Sequence, residues 1–209
     1  LSRVDNITTS ILNRVFIDFN STDLEDGNES TPGSNLTYTL TNLTSGGNFL
    51  TINRTTGVIN FSLDVAYAGV WLYNASVNDS SNRYDSQIFK VTVYGYPLFS
   101  SPSSSSQFFL SENRTFTFNF SINDDVARIT NETLNYTLIL RGIVRNTTLG
   151  NGNLTSFLWN FTPNFTDETA CTGIAQITLN VSNILLSNSA SWNITINHTN
   201  SPVFWISSV

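Results

Sequence analysis

Charge is what this chain has least of. Only 11% of its 209 residues are Asp, Glu, Lys or Arg, and Lys90 is the sole lysine; the charged share is about half that of an ordinary soluble domain. The net charge of -6 at pH 7 comes without any Lys/Arg cluster. That excludes nucleic acid as a partner, because nothing could displace counterions from phosphates, and it excludes electrostatic attachment to an anionic membrane. So few carboxylates also predict a fold that depends weakly on pH. Cys171 stands alone, so no disulfide can form within the chain and stability must come from packing. Cys171 itself reads as a small buried hydrophobe, with an intermolecular bridge as the minority reading. No apolar run approaches the roughly 18 residues of a membrane span. The mature chain is therefore expected not to insert in a membrane. It opens at Leu1, without Met and without an apolar leader, which fits a secreted form whose signal peptide has been removed.

Catalytic equipment is missing too. His198 is the only histidine, and no acid or nucleophile motif surrounds it. No Gly-x-Ser-x-Gly, phosphate loop or His-Glu-x-x-His pattern occurs, so no catalytic or cofactor-binding residue is expected. Adjacent acids occur at Glu25/Asp26, Asp124/Asp125 and Asp167/Glu168. Neighbours in a strand point to opposite faces, so adjacency does not make a glycosidase pair.

What is abundant is the triplet Asn-x-Ser/Thr, the acceptor for N-linked sugar in proteins that leave the cytoplasm. It occurs at Asn6, Asn20, Asn28, Asn35, Asn42, Asn53, Asn60, Asn74, Asn78, Asn113, Asn119, Asn131, Asn135, Asn146, Asn153, Asn160, Asn164, Asn180, Asn193 and Asn197. With 28 asparagines and Ser plus Thr near a quarter of the chain, chance would give only about seven sequons. Covalent glycans, rather than charge, are the expected source of solubility.

The dominant periodicity is two, the mark of half-buried strands. Phe116, Phe118, Phe120 and Ile122 alternate with Thr115, Thr117, Asn119 and Ser121; Trp71, Tyr73, Ala75 and Val77 alternate with Asn74, Ser76 and Asn78. No stretch has a helical period. The sequon shares this spacing, so Asn and its hydroxyl partner should point outward together while x points inward. The x residue is apolar at Leu36, Phe61, Ala75, Phe120, Tyr136, Phe161, Val181 and Ile194. The two halves also repeat at an offset of about one hundred residues. Asn13-Arg14 returns as Asn113-Arg114, Leu36 to Leu40 as Leu134 to Leu138, and Asn60-Phe61-Ser62 as Asn160-Phe161-Thr162. Each half ends in Pro-x-Phe, at Pro97-Leu98-Phe99 and Pro202-Val203-Phe204.

These signs predict an all-β protein of two tandem antiparallel sandwiches, 1–96 and 97–201, followed by a tail over 202–209. The run from Leu50 to Ile59, followed by Ala68 to Asp79, resembles the cadherin-like, dystroglycan-type immunoglobulin-like repeats of extracellular proteins, as does Leu158-Trp-Asn-Phe-Thr-Pro163. Dense sequons and scarce charge on such modules resemble, in addition, the glycosylated thread filaments of archaea, whose subunits are immunoglobulin-like and joined by donor strands. Cadherin-like modules commonly place calcium at domain junctions, and the resemblance makes Asp23, Glu25, Asp26, Asp124 and Asp125 weak candidates of suitable hardness. None lies in a complete calcium loop.

In the repeat family a domain opens with an edge strand just after Pro-x-Phe. The first half carries no such opening in Leu1-Ser-Arg-Val-Asp5, whereas Pro202, Val203, Phe204, Trp205, Ile206 and Val209 form an opening strand with no domain after it. The expectation is head-to-tail donor-strand pairing between copies, the tail of one completing the first domain of the next, with Leu1 to Ser10 as the less favoured donor. A surface-layer or adhesive module binding other cells or glycans is the alternative; it would need an exposed aromatic platform, whereas Trp71, Trp159, Trp192 and Trp205 read as core or donor residues.

Overall fold

A computed structural model describes residues 1–28, 31, 34–46, 48–103, 105–151, 156–163 and 174–197. The donor segment 202–209, the sequons at Asn153 and Asn164, Cys171, His198 and the acid pair Asp167/Glu168 lie outside the described residues. The chain divides into two compact units, Leu1–Gly95 and Tyr96–Val209.

The first unit has eight strands: β1 (Ile7–Ser10), β2 (Arg14–Asp18), β3 (Thr22–Asp23), β4 (Gly27–Asn28), β5 (Thr37–Asn42), β6 (Val58–Ser62), β7 (Gly69–Asn78) and β8 (Tyr84–Tyr94). One sheet runs β1-β8-β7-β5, a second pairs β2 with β6, and β3 and β4 form a small ribbon. β1 lies parallel to β8, with Ile7 opposite Val91. The inward residues of the alternating runs meet between the sheets. Val15, Ile17 and Phe19 are buried, as are Tyr38, Ile59, Tyr73 and Phe89; the Phe19 and Phe89 rings lie 5.7 Å apart, and the Tyr73 and Phe89 rings stack at 5.8 Å. Burial pushes the Tyr73 hydroxyl up to about 12.

The second unit repeats the plan with β9 (Leu98–Ser101), β10 (Gln107–Ser111), β11 (Phe116–Asn123), β12 (Thr133–Leu140), β13 (Ile143–Asn151), β14 (Ser156–Phe161), β15 (Ile174–Ser182) and β16 (Ser187–Asn197). Its sheets are β10-β16-β15-β12-β13 and β14-β11-β9. Its core is aromatic: Phe118 stacks on Trp159 at 5.3 Å, and Phe120 meets Trp192 at 5.1 Å.

Register relates the halves residue by residue. Tyr38 faces Val77 as Tyr136 faces Val181, and Val15 faces Phe61 as Phe116 faces Phe161. One expected equivalence shifts. Leu12 and Asn113 are the matching turn residues, with φ of 68° and 60°, and their amides donate to Leu63 and Pro163 respectively. Asn13-Arg14 is therefore one residue out of step with Asn113-Arg114, a slip that shared letters invite because Leu can take the turn conformation Asn prefers.

A short helix, α1 (Asp125–Thr130), also interrupts the β pattern. Its six residues are too few to register a 3.6 period, and only the cap marks it. The Asp124 carboxylate accepts from the Ala127 amide at 3.0 Å, and Asn131 closes it in the left-handed region with φ 57°, a conformation asparagine tolerates.

Candidate functional site at the head of the first unit

The two units differ most where each begins. In the second, β9 pairs antiparallel with the end of β11, Phe99 opposite Ile122. Phe99 packs against the core cluster, 6.0 Å from the Trp192 ring, and Asn188 Nδ2 donates to the Pro97 carbonyl at 2.9 Å. The chain then crosses to the other sheet, where β10 lies parallel to β16, Phe108 opposite Ile194.

In the first unit only the second half of that path is built. β1 corresponds to β10, since Ile7 opposite Val91 matches Phe108 opposite Ile194. An opening strand is therefore partly present, and the gap is narrower than the sequence implies. It also places Ile7–Ser10 within the chain's own sheet. No described strand corresponds to β9, but Leu1 and Ser2 lie at its place. The Leu1 amino group bonds Asp85 at 3.0 Å, and Asp85 is the register counterpart of Asn188, which holds Pro97. Among the described residues β2 is paired on one side, to β6, and beyond it a single backbone bond joins Ser2 to the Asn20 carbonyl at 2.6 Å. A cavity of about 210 Å³ opens there; Leu1, Leu36 and Val77 line it together with the charged side chains of Asp79, Arg83 and Asp85. By register Leu36 and Val77 are the counterparts of Leu134 and Val181, both core residues in the cluster that Phe99 covers. Leu36 and Val77 form a small apolar part of a mostly polar cavity, near the place where the second unit seats its own opening strand.

Acids rim this head, and their partners decide their role. The Asp23 carboxylate accepts the amides of Asp26 and Glu25 at 2.9 and 2.8 Å, and these bonds, Asp26 first, hold it below the usual carboxylate range. Asp26 accepts the Ser80 amide at 2.7 Å and is lowered chiefly by that bond. Asp23, Asp26 and Asp79 gather their carboxylate oxygens within 4.8 Å of one another, a grouping missed in sequence because Asp79 arrives from the turn after β7. Arg83 supplies positive charge to the same turn, bonding Asp79 at 3.0 Å and Glu25 at 2.9 Å. Backbone amides and one guanidinium already answer these carboxylates. Asp124 and Asp125 are not equivalent to them. Asp124 is buried, caps α1 and accepts from Asn183 Nδ2 at 2.8 Å, while Asp125 is exposed and pairs with Arg128. The expected turn acid is thus a structural cap.

Most strand sequons fall as the period-two argument requires; Asn42, half-buried and followed by the exposed Leu43, does not. Of those described, Asn6, Asn20, Asn35, Asn53, Asn60, Asn78, Asn113, Asn119, Asn131, Asn135, Asn160, Asn193 and Asn197 are exposed, and Asn28, Asn42, Asn74, Asn146 and Asn180 are half-buried. Their x residues Leu36, Ala75, Phe120, Tyr136, Phe161, Val181 and Ile194 are buried, and Phe61 is half-buried. Trp159 and Trp192 are core residues, and Trp71 is half-buried, its indole donating to the Tyr67 carbonyl at 3.0 Å.

No family model matches the chain, and no curated protein sequence matches it. Solved structures do. The I-band fragment I67–I69 of titin superposes with a TM-score of 0.60 at 12% identity, covering 92% of this chain and 63% of the fragment. Both units are immunoglobulin-like β-sandwiches. Rst D1-D2 matches with a TM-score of 0.55 at 11% identity over 92% of this chain and 96% of that one. The structure of Dpr11 IG1 bound to DIP-gamma IG+IG2 gives 0.51 at 12% identity, covering 95% and 98%. This chain thus spans under two thirds of the titin fragment, and at such identities the likeness is one of fold. No helix among the described residues is long and apolar enough to cross a membrane.

Proposed function

We propose that the chain is a structural, non-enzymatic subunit of a glycosylated extracellular filament at a cell surface, polymerised head to tail by strand donation between copies. In this reading Val203 to Val209 of one copy pairs with the edge beyond β2 of the next, and the small apolar part of the cavity at Leu36 and Val77 receives its side chains. The supporting observation is the asymmetry of the two units: a paired strand, β9, covers one, whereas only Leu1 and Ser2, in no described strand, lie at the matching place of the other, which the donor would have to displace or extend. The repeat of Pro97-Leu98-Phe99 as Pro202-Val203-Phe204 names the occupant. Strand addition supplies main-chain hydrogen bonds to an edge that would otherwise template aggregation. A contact between unlike ends grows a fibre where the rotation between copies does not close a ring. No cofactor is required; the covalent additions are N-linked glycans on the sequons. The resemblance to archaeal thread filaments accords with this reading.

Removal of 202–209 tests it. The truncated chain should fold yet stay monomeric by light scattering and electron microscopy, and should regain no polymers when mixed with itself. Long polymers from the truncated chain would refute the donor assignment, and a planar lattice from the full chain would favour the surface-layer alternative.

A further inference from the structure

Several exposed apolar side chains on the sheet faces stand directly opposite sequon asparagines. Eleven large exposed hydrophobics sit at register-paired strand positions. Five face a sequon asparagine directly across the strand pair: Phe16 faces Asn60, Tyr84 faces Asn78 and Ile88 faces Asn74, Leu158 faces Asn119, and Leu149 faces Asn135. Phe16, Tyr84, Leu158 and Leu149 are 63%, 75%, 62% and 70% exposed. Asn60, the counterpart of Asn160, shows the contrast between the halves. Asn160 faces Thr117, whose hydroxyl bonds its side-chain oxygen at 2.6 Å; where Thr117 would stand, the first unit has an exposed phenyl ring.

We propose that the N-linked sugars on Asn60, Asn78, Asn119 and Asn135 lie across these facing side chains, so that the first pyranose of each glycan acts as a fold-stabilising cover. Directly opposed residues on neighbouring strands have Cβ atoms about 4.5–5.5 Å apart, within reach of a sugar joined to the asparagine amide. A pyranose presents one face of C–H groups, which packs on an aromatic ring or a leucine as any apolar surface does. The geometry at Asn60 leaves the attachment atom available, because Arg14 Nε donates to its oxygen and not to its nitrogen. The opposed apolar residue thereby gains a partner that a bare chain cannot offer, and a large exposed hydrophobe on a solvent-facing sheet ceases to be an aggregation liability.

This inference rests on the glycoprotein part of the proposed function, and the test separates the two. Site mapping of the chain made in a glycosylating host should find sugar at Asn60 and Asn119. In that material Phe16→Ser should lower Tm by several degrees, and hardly at all once Asn60→Gln has removed the sugar; Leu158→Ser and Asn119→Gln should couple in the same way. Should a variant fail to fold, nuclear Overhauser contacts between the first sugar and the Phe16 ring of the unaltered chain give the same answer. Occupied sites with additive effects and no such contacts would overturn the inference and leave the glycoprotein reading standing. Sugar elsewhere but none at Asn60 and Asn119 would do the same. A chain bare at every sequon would remove both.

Discussion

Asp124 shows how much one side chain can hold. It caps α1 through one oxygen and takes the Asn183 amide on the other, inside the protein. Asp124→Ala should therefore destabilise the second unit by about 2 kcal/mol, read as a lowered denaturant midpoint with unchanged m. Gly57 is as constrained. Its φ is 69°, and a Cβ there would come within 2.4 Å of the Phe19 carbonyl and 2.9 Å of the Tyr38 ring, so Gly57→Ala should cost more than about 1 kcal/mol. At the head, Asp23 and Asp26 are held below their ordinary 3.8 by backbone amides. A depressed carboxylate contributes stability that is present above its unfolded pKa and lost as pH falls through the folded one. Amide protection around Glu25, Asp26 and Ser80 should thus be constant above about pH 4 and fade only in stronger acid; loss beginning nearer neutrality would contradict the assignment. The role of Asp124 was not legible in the sequence, where it looks like any acid in a turn, because burial and the approach of Asn183 are set by the distant turn between β15 and β16.

At the scale of elements, strand faces were the most legible part of the chain. Period-two runs such as Phe116 to Ile122 convert directly into inward and outward residues, since a strand admits no other alternation. Sequon x residues became core residues for the same reason. The six-residue α1 escaped because a helix under two turns carries its signal only in its caps. The turn equivalence at Leu12 escaped because backbone conformation, and not residue identity, is what the two halves share there. The opening strand was legible as a signature but not in its two-part path, one half on β11 and the other, β10, on β16. That division makes β9 testable alone. Phe99→Ala removes its anchor on the core and should destabilise the second unit by roughly 2–4 kcal/mol, and β9 amides should lose protection before those of β10. Equal loss in both strands would mean that they act as one element.

For the whole molecule, scarce charge and dense sequons serve one end. Outward strand faces carry asparagine and hydroxyl residues where an ordinary domain carries Lys and Glu, and in the proposed function sugar supplies the hydration. Under that proposal a coat would shield the sides of each unit and leave the ends for the proposed head-to-tail contact. The expected consequence is that enzymatic deglycosylation lowers solubility and promotes lateral clumping of polymers while leaving their axial repeat unchanged, as seen by microscopy. The measurement that bears most directly on the central claim is electron cryomicroscopy of the native assembly at side-chain resolution. An added strand is expected on the edge beyond β2, its density traced to Val203–Val209 of the neighbouring copy, with Phe204 near Leu36 and Val77. A strand traced there to residues of the same chain, or an edge left bare within an intact polymer, would contradict it.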